Sequence, residues 1–347
     1  MVAIDSADTA VRTLRLQVDE VIRETADAVT LVLSTADGEA LRYRPGQFLT
    51  VEIPLSDGGS AARCYSLSSS PDTGERPAIS VKRTAGGLGS NWLCDTAAAG
   101  SALTTLAPAG TFVPARWDRP LVLVAAGSGI TPVLSILKTA LASHDGQVVL
   151  FYANRDPDSV MFAATLDDLQ QRHPDRLTVR HWHESASGLP TATGLTDAVS
   201  GIADADAYLC GPGPFMEVAQ QGLLAAGVSP ENIHREVFTS ITTDPFHTTL
   251  VETSSATGVP VSAEVEGDDH SFHCAPDTVL LDAMLAEGID APFVCREGNC
   301  GACAFTLVSG DVHMRVNDTL DQYELDRGVR LACQSVPVSD ALTIRID

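Results

Sequence analysis

Four cysteines near the carboxyl end constrain this chain more than any other feature. Cys295, Cys300 and Cys303 follow the spacing C-x4-C-x2-C, and Cys333 comes much later in the sequence. One loop must therefore present three thiols together, and a second segment must bring the fourth thiol to them. Gly298 and Gly301 lie inside the loop, and glycine adopts positive φ at little steric cost. The pattern therefore predicts a tight loop that wraps around a small inorganic group.

This three-plus-one grouping separates the ways in which proteins use four thiols. Structural zinc usually takes its ligands as two pairs joined by a loop. Disulfides are expected in an oxidising compartment, and the amino-terminal residues show no basic and apolar export signal. The spacing is instead that of plant-type [2Fe–2S] proteins. The sequence therefore predicts such a cluster, and its predicted ligands are Cys295, Cys300, Cys303 and Cys333.

Charge narrows the range of partners. The 347 residues carry a formal net charge of −23, and residues 258–347 alone contain 16 acidic and 5 basic side chains. A polyanion repels nucleic acid and anionic lipid, so neither is an expected partner. No apolar run reaches the ~20 residues of a membrane-spanning helix, and we expect a cytoplasmic protein. The acidic carboxyl-terminal part is either an ordinary solvated surface or a docking face for a basic partner.

The pattern of apolar, β-branched and turn-forming residues changes along the chain. Residues 10–116 contain short apolar and β-branched runs separated by turns, which predicts an antiparallel β-barrel. In residues 117–240 strand-length runs alternate with helices near 132–142, 159–171 and 214–226, which predicts an α/β domain with a parallel sheet. Residues 241–257 are rich in Thr and Ser and are predicted to be a linker. Residues 258–347 form a third, small α+β unit around the cysteine loop.

A glycine-rich turn in the second domain predicts nucleotide binding. An apolar strand leads into Gly127 and Gly129, and Thr131 and Pro132 then open a helix. Free N–H groups and the positive dipole end of a helix favour a pyrophosphate. A second turn follows another strand, at Cys210, Gly211 and Pro212. Two such turns at strand ends define a crevice for a ligand, although each alone could be a plain strand–helix connection.

The first domain carries a motif that resembles a known flavin site. Arg63, Tyr65, Ser66 and Ser69 fit the RxYSxxS motif of the ferredoxin–NADP reductase superfamily. The resemblance implies that the Arg pairs with flavin phosphate, the Tyr packs on the isoalloxazine, and Ser66 bonds near its N5 atom. These roles suit the chemistry, because a guanidinium matches phosphate and an aromatic face covers a flat ring.

A second element of this resemblance is a glycine-rich turn before a short helix. Val81 and Lys82 precede the turn and are expected beside the flavin. The turn itself contributes Gly87, Gly89 and Ser90, with Ser90 near the helix start where it can meet phosphate.

The order of domains points to a subgroup of this superfamily. The chain resembles three-domain oxygenase reductases, in which flavin, nicotinamide and plant-type β-grasp ferredoxin domains follow one another. The FMN-containing phthalate dioxygenase reductases share this order, as do the FAD-containing reductases of phenylacetyl-CoA epoxidase. The strings VAAGSGITP, CGPGPFM and APFVCREGNCGAC most resemble the reductases of 3-ketosteroid 9α-hydroxylase. The resemblance implies FAD rather than FMN, and NADH rather than NADPH, with Arg155 near the nucleotide.

The resemblance also implies a reaction. Hydride passes from NADH to the flavin at a site that contains Ser66, Cys210, Glu236 and Phe238, and Phe238 covers the flavin face. Electrons then reach the cluster and leave to a Rieske-type non-haem iron oxygenase. Other acceptors, such as a cytochrome P450, remain open. A different class of protein, a redox sensor that responds to NAD(H), is also open, although no DNA-binding segment supports it.

Overall fold

The first domain of the computed structural model is an antiparallel sheet. The structure describes residues 13–202, 204–247, 258–265 and 267–346. Strands β1 to β6 are Leu14–Thr25, Ala28–Thr35, Phe48–Pro54, Ser60–Ser66, Ala78–Lys82 and Ala102–Thr105, in the spatial order β4-β3-β6-β1-β2-β5. A bridge between Leu67 and Ile79 joins the two edges of the sheet, because Leu67 continues from β4 and Ile79 belongs to β5. The predicted antiparallel barrel is confirmed.

Apolar side chains close the inside of this barrel. Leu31, Leu49 and Ile53 are completely buried there. Helix α1, Leu88–Thr96, follows β5 and buries Leu93 against the same core. The start of α1 is thereby held beside the end of the barrel that carries the flavin motif.

The second domain is a parallel sheet with helices on both faces. Strands β7 to β11 are Leu121–Ala126, Val148–Asn154, Leu177–His183, Asp206–Cys210 and Ile233–Glu236, in the spatial order β11-β10-β7-β8-β9. Helices α2 to α6 are Ile130–Ser143, Ala163–Arg172, Glu184–Ser187, Ala192–Val199 and Gly213–Ala225. All strand pairs are parallel. The central strands are buried on both faces, as their unbroken apolar runs require, and the predicted α/β domain is confirmed.

One helix boundary differs from the sequence prediction. Helix α3 begins at Ala163 and not near residue 159, because Phe162 has a positive φ of 59°. Residues Pro157–Ser159 form a separate turn, in which the Asp156 side chain accepts a hydrogen bond from the Ser159 N–H. A left-handed residue cannot continue an α-helix, so the apolar pattern predicted the helix but not its start.

The third domain is a mixed sheet packed against a short helix. Strands β12 to β18 are Val259–Val265, Asp268–Cys274, Ala304–Ser309, Val312–Met314, Val329–Leu331, Ser335–Pro337 and Leu342–Ile346, and helices α7 and α8 are Leu280–Ala286 and Gln322–Asp326. The main sheet has the order β13-β12-β18-β14-β16, and its central pair, β12 and β18, is parallel. The core includes Phe305, Leu331 and Ile344. This is the β-grasp arrangement expected for a plant-type ferredoxin domain.

The predicted linker contains ordered contacts at its start. Ile241 and Pro245 are buried, and residues Pro245–His247 form a single helical turn. Residues 248–257 of the predicted linker lie outside the described residues, as do residues 10–12 of the predicted flavin domain. The domain boundaries therefore stay predictions. In the described part of the chain, no helix is long and apolar enough to cross a membrane.

Candidate functional site

The four clustered cysteines meet in the third domain as two pairs. The thiols of Cys295 and Cys300 lie within hydrogen-bonding reach of each other, and the thiols of Cys303 and Cys333 do the same. The first three lie in the loop that precedes β14, whereas Cys333 lies in the turn between β16 and β17. Cys295, Cys303 and Cys333 are buried, and Cys300 is half-buried.

This pairing tests which inorganic group the thiols fit. A structural zinc ion requires four ligands around one point. A [2Fe–2S] centre instead takes two protein ligands on each of its two irons. The two-by-two arrangement of thiols therefore fits the predicted cluster.

Hydrogen-bond donors surround the sulfur atoms. The Glu297 N–H donates to Cys295 Sγ at 3.3 Å, and the Cys333 N–H donates to Cys303 Sγ at 3.5 Å. Gln334 Nε2 lies 3.6 Å from Cys333 Sγ. Donors of this kind stabilise thiolate and favour the addition of negative charge to a cluster.

The two glycines of the cysteine loop have the backbone conformation that the sequence predicts. Gly298 has φ 84° and Gly301 has φ 71°. A Cβ atom at Gly298 would lie 3.0 Å from the Val316 carbonyl oxygen. Positive φ and close approach therefore both favour glycine at position 298.

The start of the predicted linker contacts this same loop. The Thr243 hydroxyl donates to the Cys295 carbonyl oxygen at 2.7 Å, and the Thr242 hydroxyl donates to the Glu297 carboxylate. Asp244 in turn accepts a hydrogen bond from the Ser60 hydroxyl at 2.6 Å. We call residues 241–247 the strap, because their side chains form hydrogen bonds to the cysteine loop and to Ser60.

The flavin motif lies against the start of α1. A Cβ atom at Gly89 would lie 2.7 Å from Tyr65 Oη and 2.8 Å from Arg63 Cγ. Gly89 therefore allows the first turn of the helix to approach both side chains. Burial raises the pKa of Tyr65 well above its usual value, so this phenol stays neutral. A guanidinium and the unpaired N–H groups of a helix start are together suited to flavin phosphates.

The two serines of the flavin motif, Ser66 and Ser69, have different environments. Ser66 is buried at the end of β4. The Ser69 hydroxyl accepts a hydrogen bond from the Ala78 N–H at 2.8 Å and lies 2.7 Å from Tyr43 Oη. These bonds connect Ser69 to the start of β5 and to the Tyr43 side chain.

The glycine-rich turn before α1 is closed by a serine. Ser90 Oγ accepts a hydrogen bond from the Thr84 N–H at 3.1 Å. A Cβ atom at Gly87 would lie 2.6 Å from Ser90 Oγ, so position 87 has no room for a side chain. The Ser90 hydroxyl thus shapes the turn that precedes the helix.

Val81 and Lys82 have different environments. Val81 is buried in the barrel core. Lys82 Nζ lies 3.4 Å from the Ser159 carbonyl oxygen and 4.0 Å from Asp27. Burial lowers the pKa of Lys82, and the Asp27 carboxylate opposes this shift. Lys82 therefore connects the barrel to the nucleotide domain.

The two glycine-rich turns of the nucleotide domain touch each other. Gly127 has φ 53°, and a Cβ atom at Gly129 would lie 2.1 Å from the Cys210 carbonyl oxygen. The Thr131 hydroxyl donates to the Ser128 carbonyl oxygen at 3.0 Å, and Pro132 is the third residue of α2. The structure thus brings the two predicted turns together at the start of α2, and the binding of a pyrophosphate there stays a prediction.

A cysteine and a carboxylate lie side by side at the edge of this sheet. Cys210 and Glu236 are the last residues of β10 and β11 and are register partners. Burial raises the pKa of Glu236 to about 8, and Oε2 is buried with no hydrogen-bond partner among the described residues. Burial, and then Glu236, raise the pKa of the Cys210 thiol. Both groups are therefore neutral near pH 7.

The neighbours of this pair complete the edge of the sheet. Gly211 approaches Ala126, since a Cβ atom there would lie 3.1 Å from Ala126 Cβ, and Pro212 is the N-cap of α6. Phe238 follows β11 by two residues and is 50% exposed. An exposed aromatic ring beside a neutral, buried edge is available to cover a flat cofactor.

Arg155 already has a charged partner. Its guanidinium lies 3.1 Å from the Asp27 carboxylate in the turn between β1 and β2. Sequence reasoning did not identify Asp27, because the two residues belong to different domains and lie 128 positions apart. It also missed Thr243 and Gln334, although the position of Gln334 directly after a predicted ligand was an available signal.

Comparison with protein families agrees with this division of the chain. An oxidoreductase FAD-binding domain matches residues 14–113, an oxidoreductase NAD-binding domain matches residues 123–221, and a 2Fe-2S iron-sulfur cluster binding domain matches residues 263–338. The ferredoxin reductase component of 3-ketosteroid-9-alpha-monooxygenase from Mycolicibacterium smegmatis is 50% identical over 342 residues, which cover 96% of this chain and 97% of that protein. The chain belongs to the family of three-domain oxygenase reductases.

Other members of this family are more distant. A component of 1,2-phenylacetyl-CoA epoxidase from Escherichia coli K12 is 32% identical over 350 residues, covering 96% of this reductase and 97% of the relative. The solved structure of phthalate dioxygenase reductase has a TM-score of 0.58 and 24% identity, and the match covers 96% of this chain and 98% of that one. The three-domain fold, the oxidoreductase class and the FAD, NAD and 2Fe-2S domains of the reductase are confirmed.

Proposed function

We propose that this reductase takes hydride from NADH and supplies single electrons to a Rieske-type oxygenase that hydroxylates 3-ketosteroids at the 9α position. The observation that carries the proposal is the 50% identity, over 96% of the chain, to a reductase component of 3-ketosteroid-9-alpha-monooxygenase. The paired thiols of the third domain support it, because they fit a group that transfers electrons one at a time. A cytoplasmic site of action is part of the proposal.

The residues of the site suggest how the cofactors are held. When bound, the nicotinamide, the flavin and the cluster together convert a hydride into two single electrons. Arg63 and the start of α1 would bind the FAD phosphates, and the Tyr65 ring would support the isoalloxazine. The turn from Gly127 to Thr131 would bind the NADH pyrophosphate at the start of α2.

The neutral edge at Cys210 and Glu236 suits hydride transfer. A hydride donor must reach its acceptor in a site from which water and competing proton donors are excluded. Burial keeps the Cys210 thiol and the Glu236 carboxyl uncharged near pH 7. These groups can therefore contact the nicotinamide ring without drawing water into the site. The exposed Phe238 ring would cover the flavin until the nicotinamide displaces it.

Steady-state turnover with the matching oxygenase tests the proposal. The purified chain, with FAD, iron and acid-labile sulfide measured, is mixed with NADH, a steroid oxygenase component and a 3-ketosteroid. We expect NADH oxidation that depends on the oxygenase and yields one hydroxylated steroid per NADH consumed. A phenylacetyl-CoA epoxidase oxygenase and a cytochrome P450 serve as alternative acceptors under the same conditions.

Two results would overturn the proposal. Faster coupled turnover with one of the alternative acceptors would assign the reductase to that system. Reduction of the bound flavin by NADH without sustained turnover with any acceptor would instead favour a redox sensor.

A further inference from the structure

One residue of the cysteine loop has an unfavourable backbone conformation for its side chain. Arg296 directly follows Cys295 and has φ 56°. A non-glycine residue is strained in this left-handed region, at a free-energy cost that glycine does not have. Gly298 and Gly301 in the same loop have positive φ without this cost. The arginine side chain therefore has to contribute something at position 296 that a glycine would not.

Arg296 is fixed by three contacts, two of its side chain and one of its backbone. Its guanidinium forms an ion pair with the Asp282 carboxylate on α7. The same group lies over the Phe293 ring, 5.5 Å from the ring centroid. Its backbone carbonyl oxygen accepts a hydrogen bond of 2.9 Å from Gln334 Nε2, the group that also lies beside Cys333 Sγ. The side chain is 25% exposed, so its position is determined by the protein and not by solvent.

The fixed guanidinium is held beside both segments that carry predicted cluster ligands. Arg296 directly follows Cys295. Leu281, the neighbour of Asp282, donates its N–H at 3.1 Å to the carbonyl oxygen of Ala332, the residue before Cys333. Arginine stays protonated in proteins. A permanent positive charge in a partly desolvated position interacts strongly with any negative charge nearby.

We propose that Arg296, held by Asp282 and Phe293, raises the affinity of the cluster for its electron. Two ferric ions, two sulfides and four thiolates sum to two negative charges, and the added electron makes three. A fixed positive charge stabilises the more negative state more strongly, so it raises the reduction potential. The electron comes from the flavin and leaves to the acceptor, so the proposed reaction needs no further reactant.

Because Arg296 and Asp282 carry opposite charges, removing each charge should shift the reduction potential of the cluster in opposite directions. Removal of the arginine charge by Arg296→Gln makes the cluster harder to reduce. Removal of the neighbouring negative charge by Asp282→Asn makes it easier to reduce. If the pair served only to hold the loop in shape, both substitutions would disturb the cluster in the same direction.

Potentiometric titration of the full chain, followed by electron paramagnetic resonance of the reduced cluster, measures these shifts. For Arg296→Gln we expect at least a threefold lower equilibrium constant for cluster reduction, which is about 28 mV at 59 mV per tenfold change. Asp282→Asn should shift the potential the opposite way. Arg345→Gln on β18 removes the same charge from an exposed position and should have a smaller effect. The flavin potential of each variant is the internal control.

The inference rests on the proposed function, because it requires a bound cluster. Absence of iron and sulfide from the wild-type chain would overturn the proposed function itself. With the cluster present, shifts of the same sign in Arg296→Gln and Asp282→Asn would overturn the inference alone, as would equal shifts in Arg296→Gln and Arg345→Gln. If Arg296→Gln loses its cluster, Arg296→Lys replaces it, with a smaller shift expected in the same direction.

Discussion

The edge of the nucleotide sheet and the cysteine loop control charge in opposite ways. At the sheet edge, burial raises the pKa values of Cys210 and Glu236, and both groups are neutral near pH 7. At the cysteine loop, backbone N–H groups donate to Cys295 and Cys303, and the guanidinium of Arg296, the residue after Cys295, is held in place by Asp282. The first site removes charge, whereas the second site is built to accept it.

This difference follows from what each site transfers. Hydride carries its own electron pair and meets a cofactor ring, so neighbouring charges and water would compete with the reaction. A single electron adds a full negative charge to a buried group, which requires donors and cations that are already in place. One chain therefore needs one site that excludes charge and another that stabilises negative charge. Placing the two sites in separate domains allows both environments to exist in the same protein.

Loss of one cluster ligand should abolish electron delivery while leaving hydride transfer to the flavin intact. Cys300→Ser removes one of the four paired thiols, so we expect electron delivery to a one-electron acceptor to fall more than ~100-fold, beyond the 10–100-fold that changes outside the ligand set cause. Reduction of the flavin by NADH should remain normal. Stopped-flow absorbance resolves flavin reduction, and cytochrome c reduction reports delivery.

Cys274→Ser is the matched control for this substitution. Cys274 lies in the same domain, is buried, and donates through Sγ to the Thr278 carbonyl oxygen at 3.3 Å, a bond that serine can keep. Both activities should survive in this variant. Normal cytochrome c reduction by Cys300→Ser would show that electrons leave by a route other than the cluster.

A methyl group at Gly129 should damage only the nucleotide region. The Cβ atom would lie 2.1 Å from the Cys210 carbonyl oxygen, and backbone cannot move aside cheaply. We expect a loss of roughly 3 kcal/mol in the stability of this domain, at the upper end of overpacking effects, together with weaker NADH binding. Urea denaturation followed by tryptophan fluorescence measures the first effect.

Gly213→Ala provides the comparison for Gly129→Ala. Gly213 begins α6, and no atom lies within 4 Å of a Cβ built there. That variant should be as stable as the wild type or slightly more stable. Equal stability of the two alanine variants would contradict the close contact between the two glycine-rich turns.

The raised pKa of Glu236 should appear as a pH dependence of stability. Between the ordinary carboxyl pKa of 4.5 and the folded value of about 8, the folded protein keeps a proton that the unfolded chain releases. Stability of the nucleotide domain should therefore fall as pH rises through this window and level off above it. Glu236→Gln removes the titrating group. Its thermal midpoint, measured relative to wild type, should rise with pH, and parallel profiles would contradict a buried neutral carboxyl.

The sequence predicts the parts of both regions that depend on local backbone geometry. A short stretch of sequence is enough to recognise each of these features. They are the cysteine spacing, the strand–turn–helix patterns and the glycines at 127, 129, 298 and 301. Positive φ at Gly127, Gly298 and Gly301 and the close approach at Gly129 agree with those patterns. Such features need no knowledge of distant contacts.

Contacts between distant segments were not predictable in the same way. The Ser69 hydroxyl fits a flavin motif, yet Tyr43 and Ala78 take up its hydrogen bonds. Arg296 looks like an ordinary polar loop residue until its partner on α7 is known. Only the fold decides which partner a side chain meets, so the roles assigned to individual site residues stay predictions.

The smallest effect that we expect comes from a substitution in the strap. Its Thr- and Ser-rich composition predicted a linker, but the Thr243 hydroxyl donates to the carbonyl oxygen of Cys295. Thr243→Ala should loosen the cysteine loop by about 1 kcal/mol, the usual net value of one hydrogen bond, and so hasten the loss of iron to a chelator about fivefold. Thr243→Ser keeps the hydroxyl and should restore the wild-type rate. Because hydride transfer belongs to the other region, flavin reduction by NADH should be the same in all three proteins. Slower flavin reduction in Thr243→Ala would mean that the two regions are coupled through the strap.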